Sequence, residues 1–114
     1  MQAVTLYHNP RCSKSRQALE LLEQQPVALT VVRYLEQPPS ADDLETLAAR
    51  LGGQAAELVR RREANELGIG DLQGRPLYEA LAANPRALQR PIVTTEKVAV
   101  IARPPEKALD ILND

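Results

Sequence analysis

Residues 3–22 read AVTLYHNPRCSKSRQALELL, and the fold turns on how this run is divided. Ala3–His8 alternates in β-forming residue types, which predicts a strand. Asn9 and Pro10 then break it. From Ser13 onward Ala18, Leu19 and Leu22 recur at helical spacing, with Glu20 and Glu23 on the other face, until EQQP stops the run at Pro26. Cys12 therefore falls at the start of a helix. The next segment, ALTVVRYL over residues 28–35, is a second strand, and its more continuous apolar character suits an interior position in a sheet. Strand, helix and strand make a βαβ unit, for which a right-handed crossover is expected.

The rest of the chain extends this frame. Ser40 is an expected N-cap with Asp43 three residues on; Leu44, Leu47 and Leu51 form one face, and Gly52 or Gly53 stops the helix. Two shorter helices are expected in QAAELVRRR (54–62) and PLYEALAANP (76–85), separated by LGIGDLQGR (67–75). IVTTEKVAVIA (92–102) reads as two strands with a tight turn near Glu96 and Lys97, although it lacks the Gly or Asn usual in such turns. PPEKALDIL (104–112) reads as a closing helix that starts on prolines. The order β-α-β, helices, β-β-α resembles an α/β thioredoxin or glutaredoxin fold with a helical insertion at about residues 40–85. Residues 1–114 are expected to form a single domain.

Composition narrows the function. With 44% hydrophobic and 25% charged residues the chain is near the globular average. Fourteen basic against fifteen acidic residues leave a net charge of −1, so any anion site must be local, and no nucleic-acid partner is expected. The only aromatics are three tyrosines, too few for base-stacking platforms. One cysteine allows no internal disulfide, and with one histidine it argues against a metal site. No run of about 18 apolar residues exists, and MQAVTLYH lacks the charged flank and apolar core of a signal peptide. A cytoplasmic protein with no membrane partner is expected.

A lone cysteine is more often buried filler than a reactive group. Here the context points the other way, because a helix N-terminus offers free N–H groups and the positive end of the dipole, both of which favour thiolate. Arg11, Lys14 and Arg16 would add positive charge. The same groups would receive an oxyanion, so nucleophile and anion site coincide. CSKS places Ser15 where a C-x-x-C motif has its second sulfur, so anything Cys12 forms covalently must be cleared by an outside thiol. The C-x5-R loop of cysteine phosphatases is absent, since Ala18 holds the arginine position. His8, four residues before Cys12, is either a partner for the thiol or a strand-end residue tied to backbone. Arg60 closes the expected 54–62 helix together with Arg61 and Arg62, and Arg90 and Arg103 each precede a proline. In a thioredoxin-type fold a cis-proline faces the reactive cysteine, which makes Arg90–Pro91 the expected cis bond.

Taken together, HNPRCSKSR, Arg60, RPIV and RPPE resemble the glutaredoxin-coupled bacterial arsenate reductases over nearly the whole chain. The resemblance implies that Cys12 attacks arsenate to give a thiol–arsenic ester, that glutathione enters as co-substrate with no bound cofactor, and that glutaredoxin completes reduction to arsenite. It implies that Arg60, Arg90 and Arg103 bind and polarise the oxyanion, and that His8 and Ser15, with Arg16, belong to the thiol-activating set. Arg11 and Lys14 depart from the smaller neutral residues expected there, which bears on substrate preference. Two other functions fit the same fold: a glutathione-dependent thiol-redox protein, and an Spx-like regulator that binds RNA polymerase. Ser15 and the full arginine set argue against the latter.

Overall fold

The computed structural model describes residues 1–112. Strand β1 (Gln2–His8), helix α1 (Ser13–Glu23) and strand β2 (Val27–Arg33) follow the division made from the opening stretch. β1 and β2 pair in parallel, from Gln2 opposite Val27 to His8 opposite Arg33. After the insertion, β3 (Ile92–Thr94) runs antiparallel to β1, and β4 (Ala99–Ile101) antiparallel to β3, giving the sheet order β2-β1-β3-β4. This is the thioredoxin-like α/β arrangement. β2 is nevertheless an edge strand, not an interior one, with Val31 exposed. Its apolar run reflects the preference of strands for β-branched residues, which holds at an edge as well as in a core.

Side chains alternate between two cores, as strand geometry requires. Val4, Leu6 and Val93 pack with Ala18 and Leu22 of α1 and with Ala108 of a closing 3-10 turn, Pro105–Leu109. That turn stands where the closing helix was expected. On the other face Ile92 and Tyr34 meet Leu44 and Leu47 of α2 (Ala41–Arg50) and Leu81 of α4 (Gly74–Ala83). α2 starts on the expected capping box: Ser40 Oγ accepts the Asp43 N–H at 3.0 Å while Asp43 Oδ2 accepts the Ser40 N–H at 3.1 Å. It stops at Gly52 and Gly53, whose φ of +77° and +81° let the Gly53 N–H reach the Ala48 carbonyl at 2.9 Å. The β3–β4 turn is centred on Glu96 and Lys97 without Gly or Asn because Thr95 Oγ1 accepts the N–H groups of Lys97 and Val98, each at 3.2 Å.

The segment 54–62 departs from its expected helix, and the departure matters for the site. Ala55–Leu58 is a 3-10 turn, the chain then extends through Val59 and Arg60, and a new helix, α3 (Arg61–Glu66), begins. The extended residues pair with the segment that follows the Pro85–Ala87 turn: the Arg60 N–H donates to Ala87 O at 2.8 Å and the Gln89 N–H to Leu58 O at 2.8 Å, around a Val59–Leu88 bridge. Long-range pairing wins over local helix propensity. Its effect is to lay Arg60 beside the residues leading into Arg90.

Candidate active site

Cys12 is the N-cap residue of α1 with extended backbone, φ −93° and ψ 122°, and its side chain is half-buried. Its own N–H donates to the Asn9 carbonyl at 3.0 Å, so residues 9–12 close a turn at the end of β1. Burial is the largest single influence and pushes the thiol pKa up, but the opposing influences together leave it below its ordinary value. These are the Ser15 backbone N–H, the Arg90 guanidinium as hydrogen-bond donor and as charge, and the Lys14 backbone N–H. The helix N-terminus therefore acts as expected, but the cation does not come from the neighbouring residues. Arg11 and Lys14 point into solvent, and an Arg16 Nη1–H is spent on the Pro10 carbonyl at 2.9 Å, where it braces the turn. The charges close in sequence are thus exposed to solvent and are not the ones that act on the thiol.

His8 and Ser15 form a buried pair beneath that turn. Ser15 is 0% and His8 5% exposed, and their Oγ and Nδ1 atoms lie 2.6 Å apart. The same Oγ accepts the Asn9 N–H at 3.0 Å. His8 is held below its ordinary pKa, first by burial and then by Arg33 and Arg16, so near neutral pH it is an uncharged imidazole whose Nδ1 shares a hydrogen bond with the Ser15 hydroxyl. Of the two readings of His8, neither direct thiol pairing nor a backbone tie describes it: its bond is to the Ser15 side chain, beneath the turn that carries Cys12.

Three arginines converge from separate elements. The Arg90 guanidinium lies near enough to Cys12 to favour its thiolate. An Arg103 Nη1–H donates to the Arg90 carbonyl at 3.0 Å, next to the place where the Ala102 N–H meets Pro91 O at 2.9 Å. Arg60 and Arg103 line one cleft of about 240 Å³ together with Gln89 and Glu63. The Arg90–Pro91 peptide is cis as expected, and Arg103–Pro104 is cis as well. Glu63 escaped the sequence reading: its Oε2 lies 3.2 Å from Arg60 Nε, close but misaligned for a hydrogen bond, and it occupies one of the cations an anion would use. An Arg with a Glu three residues on was the available signal. Asn9 was read only as a strand breaker, yet its Oδ1 also accepts the Arg11 N–H at 3.0 Å. Among the described residues no cluster of His, Cys, Asp and Glu could hold a metal ion, and no helix is long and apolar enough to cross a membrane.

The ArsC family model matches residues 7–111, from the strand before the thiol to the closing turn. The chain belongs to the ArsC family. An arsenate reductase of Neisseria meningitidis is 38% identical over 117 residues, covering 98% of this chain and 100% of that one. A protein of Escherichia coli K12 named YfgD, itself described as uncharacterised, is 45% identical over 114 residues, 96% of each chain. The solved arsenate reductase of Vibrio cholerae superposes with a TM-score of 0.85 at 40% identity, covering 97% of this chain and 98% of that one. As an ArsC family member the chain is matched across both the thiol turn and all three arginine segments, which its fold gathers at one end of the sheet.

Proposed function

We propose that this protein is an arsenate reductase that works through Cys12, with glutathione and glutaredoxin as the outside thiols. The observation that carries the reading is one activated thiol under the influence of Arg90, whose carbonyl is held by Arg103, which in turn lines a cleft with Arg60. A tetrahedral oxyanion is well matched by guanidinium groups, which stay protonated while the cysteine gives up its proton. The Cys12 sulfur attacks arsenic, an S–As bond forms, and one As–O bond breaks with the oxygen leaving as water; arsenic is still pentavalent. Arg60, Arg90 and Arg103 hold the charge that moves onto the departing and remaining oxygens.

Reduction then needs two electrons, and a single cysteine does not supply them. Glutathione displaces a second oxygen as water and forms its own S–As bond. A glutaredoxin thiolate next attacks the glutathione sulfur; the mixed disulfide leaves, and the electron pair of the broken S–As bond stays on arsenic, now trivalent. Hydrolysis of the remaining ester releases arsenite and frees Cys12. No resident cofactor is required, and a free reactive thiol suits a reducing compartment such as the cytoplasm. The test is arsenite formation by purified protein with glutathione and glutaredoxin each omitted in turn. Turnover is expected only with both. Undiminished turnover without either source would sink the single-thiol scheme. No arsenite under any condition, with thiol–disulfide exchange intact, would put a thiol-redox function in its place.

A further inference from the structure

Tyr34 follows β2 directly, and the register that sets His8 opposite Arg33 brings it beside Asn9, at the carboxyl ends of the two parallel strands. Ligands of open α/β sheets bind outside those ends. The tyrosine is 1% exposed, its ring packed in the core that contains Leu44, Leu47 and Ile92. Its hydroxyl oxygen is buried and makes no hydrogen bond. Asn9 and Arg90 are its polar neighbours, but neither is aligned to bond it, and the Cys12 and Arg90 charges are both felt there. Arg90 Nε is buried and unpartnered too. Native proteins leave few buried polar atoms unsatisfied. Two such atoms, on residues that feel or influence the Cys12 charge, share a chemistry: a tyrosine O–H and an arginine Nε–H are both donors, and what they lack is an acceptor.

We propose that the Tyr34 hydroxyl is a substrate-binding donor which, with Arg90 Nε–H, holds one oxygen of the tetrahedral oxyanion at Cys12. The proposal rests on the arsenate reading above. Burial and the Cys12 charge raise the phenol pKa against the lowering influence of Arg90, so it keeps its proton at neutral pH and can donate. A neutral donor set in the core adds direction to a site whose other ligands are long cationic side chains. Because Tyr34 Oη makes no bond to the thiol sulfur, its partner is the oxyanion and not the thiolate.

Tyr34→Phe removes the hydroxyl and keeps the ring. Losing one hydrogen bond to a charged ligand should raise the arsenate KM about tenfold or more. The ligand-free variant should melt at the wild-type temperature or above, since an unsatisfied group is replaced by an apolar one, and the pH profile of Cys12 alkylation should not move. A second measurement needs no Tyr34 variant. The chain has three tyrosines and no tryptophan, so arsenate added to Cys12→Ser protein should perturb the tyrosine ultraviolet spectrum. An unchanged KM in Tyr34→Phe beside an active wild type, or a silent spectrum in protein that binds arsenate, overturns the proposal alone. So does a lower melting temperature, which would mean a structural bond, or a raised alkylation inflection, which would mean a bond to the thiolate. A wild type that neither binds nor reduces arsenate removes both the reductase reading and this site.

Discussion

Replacing Ser15 by Ala should destabilise the protein far more than a serine on a first helical turn ordinarily would. The side chain is 0% exposed, and its oxygen serves both His8 Nδ1 at 2.6 Å and the Asn9 N–H at 3.0 Å. Alanine leaves both partners buried and unsatisfied, at about 1–3 kcal/mol each. Against that stands a gain in helix propensity of about 0.5 kcal/mol. A net loss of about 1.5–5.5 kcal/mol is expected, a large part of the ~5–15 kcal/mol that holds a domain of this kind. Urea denaturation followed by circular dichroism measures it, with the slope unchanged if the loss is confined to the folded state. Because the Asn9 N–H anchors the turn that carries Cys12, the alkylation inflection of the thiol should also move up toward its ordinary value. His8→Leu should couple with Ser15→Ala by more than about 0.5 kcal/mol, as expected for partners in contact. A loss below about 0.5 kcal/mol, or strict additivity of the two, would refute the idea that Ser15 fastens the thiol turn.

Three further outcomes follow from the cations. The deprotonated fraction of a thiol grows as pH rises through its pKa, and the Cys12 value is depressed, so wild-type alkylation should inflect below the ~8.5 of a free cysteine; Arg90→Met should move that inflection up, whereas Arg11→Ala and Lys14→Ala should leave it in place. Arg103→Ala should lower kcat/KM for arsenate by about 2–4 kcal/mol of transition-state stabilisation, with Arg103→Lys a poor rescue, both read from steady-state arsenite formation. Glu63→Gln should free Arg60 and lower the arsenate KM by up to about fivefold, the scale of a ~1 kcal/mol ion pair, and added salt should shrink the difference; an unchanged or raised KM at low salt would show that Glu63 does not compete with the anion.

The parts of this site that were legible in the sequence are those fixed by neighbouring residues. Asn9–Pro10 breaks the strand and the apolar spacing restarts at Ser13, so Cys12 had to head a helix; Ser40 with Asp43 is a cap readable at a glance. What depended on distant pairing was not legible. Residues 54–62 carry a helical composition, and only the ladder between Leu58–Arg60 and Ala87–Gln89 breaks them at Arg60. The cation at the thiol was sought in Arg11, Lys14 and Arg16 because they are adjacent, whereas Arg90 reaches it from the start of β3. Ser15 was read for the sulfur it lacks and as part of the thiol-activating set; its hydroxyl bonds His8 and the Asn9 N–H. Tyr34 looked like the tail of an apolar strand, and nothing local marks a buried hydroxyl without a partner.

The central claim is that the Cys12 sulfur is the nucleophile that holds arsenic while it is reduced. The most direct measurement compares arsenite formed by wild type and by Cys12→Ser under the same complete conditions of arsenate, glutathione and glutaredoxin, with the melting temperature of each recorded. Wild type is expected to turn over and the variant to form none while melting normally, because a serine hydroxyl at this position has no base to ionise it. Arsenite production by Cys12→Ser at the wild-type rate, or none by wild type, would contradict the account.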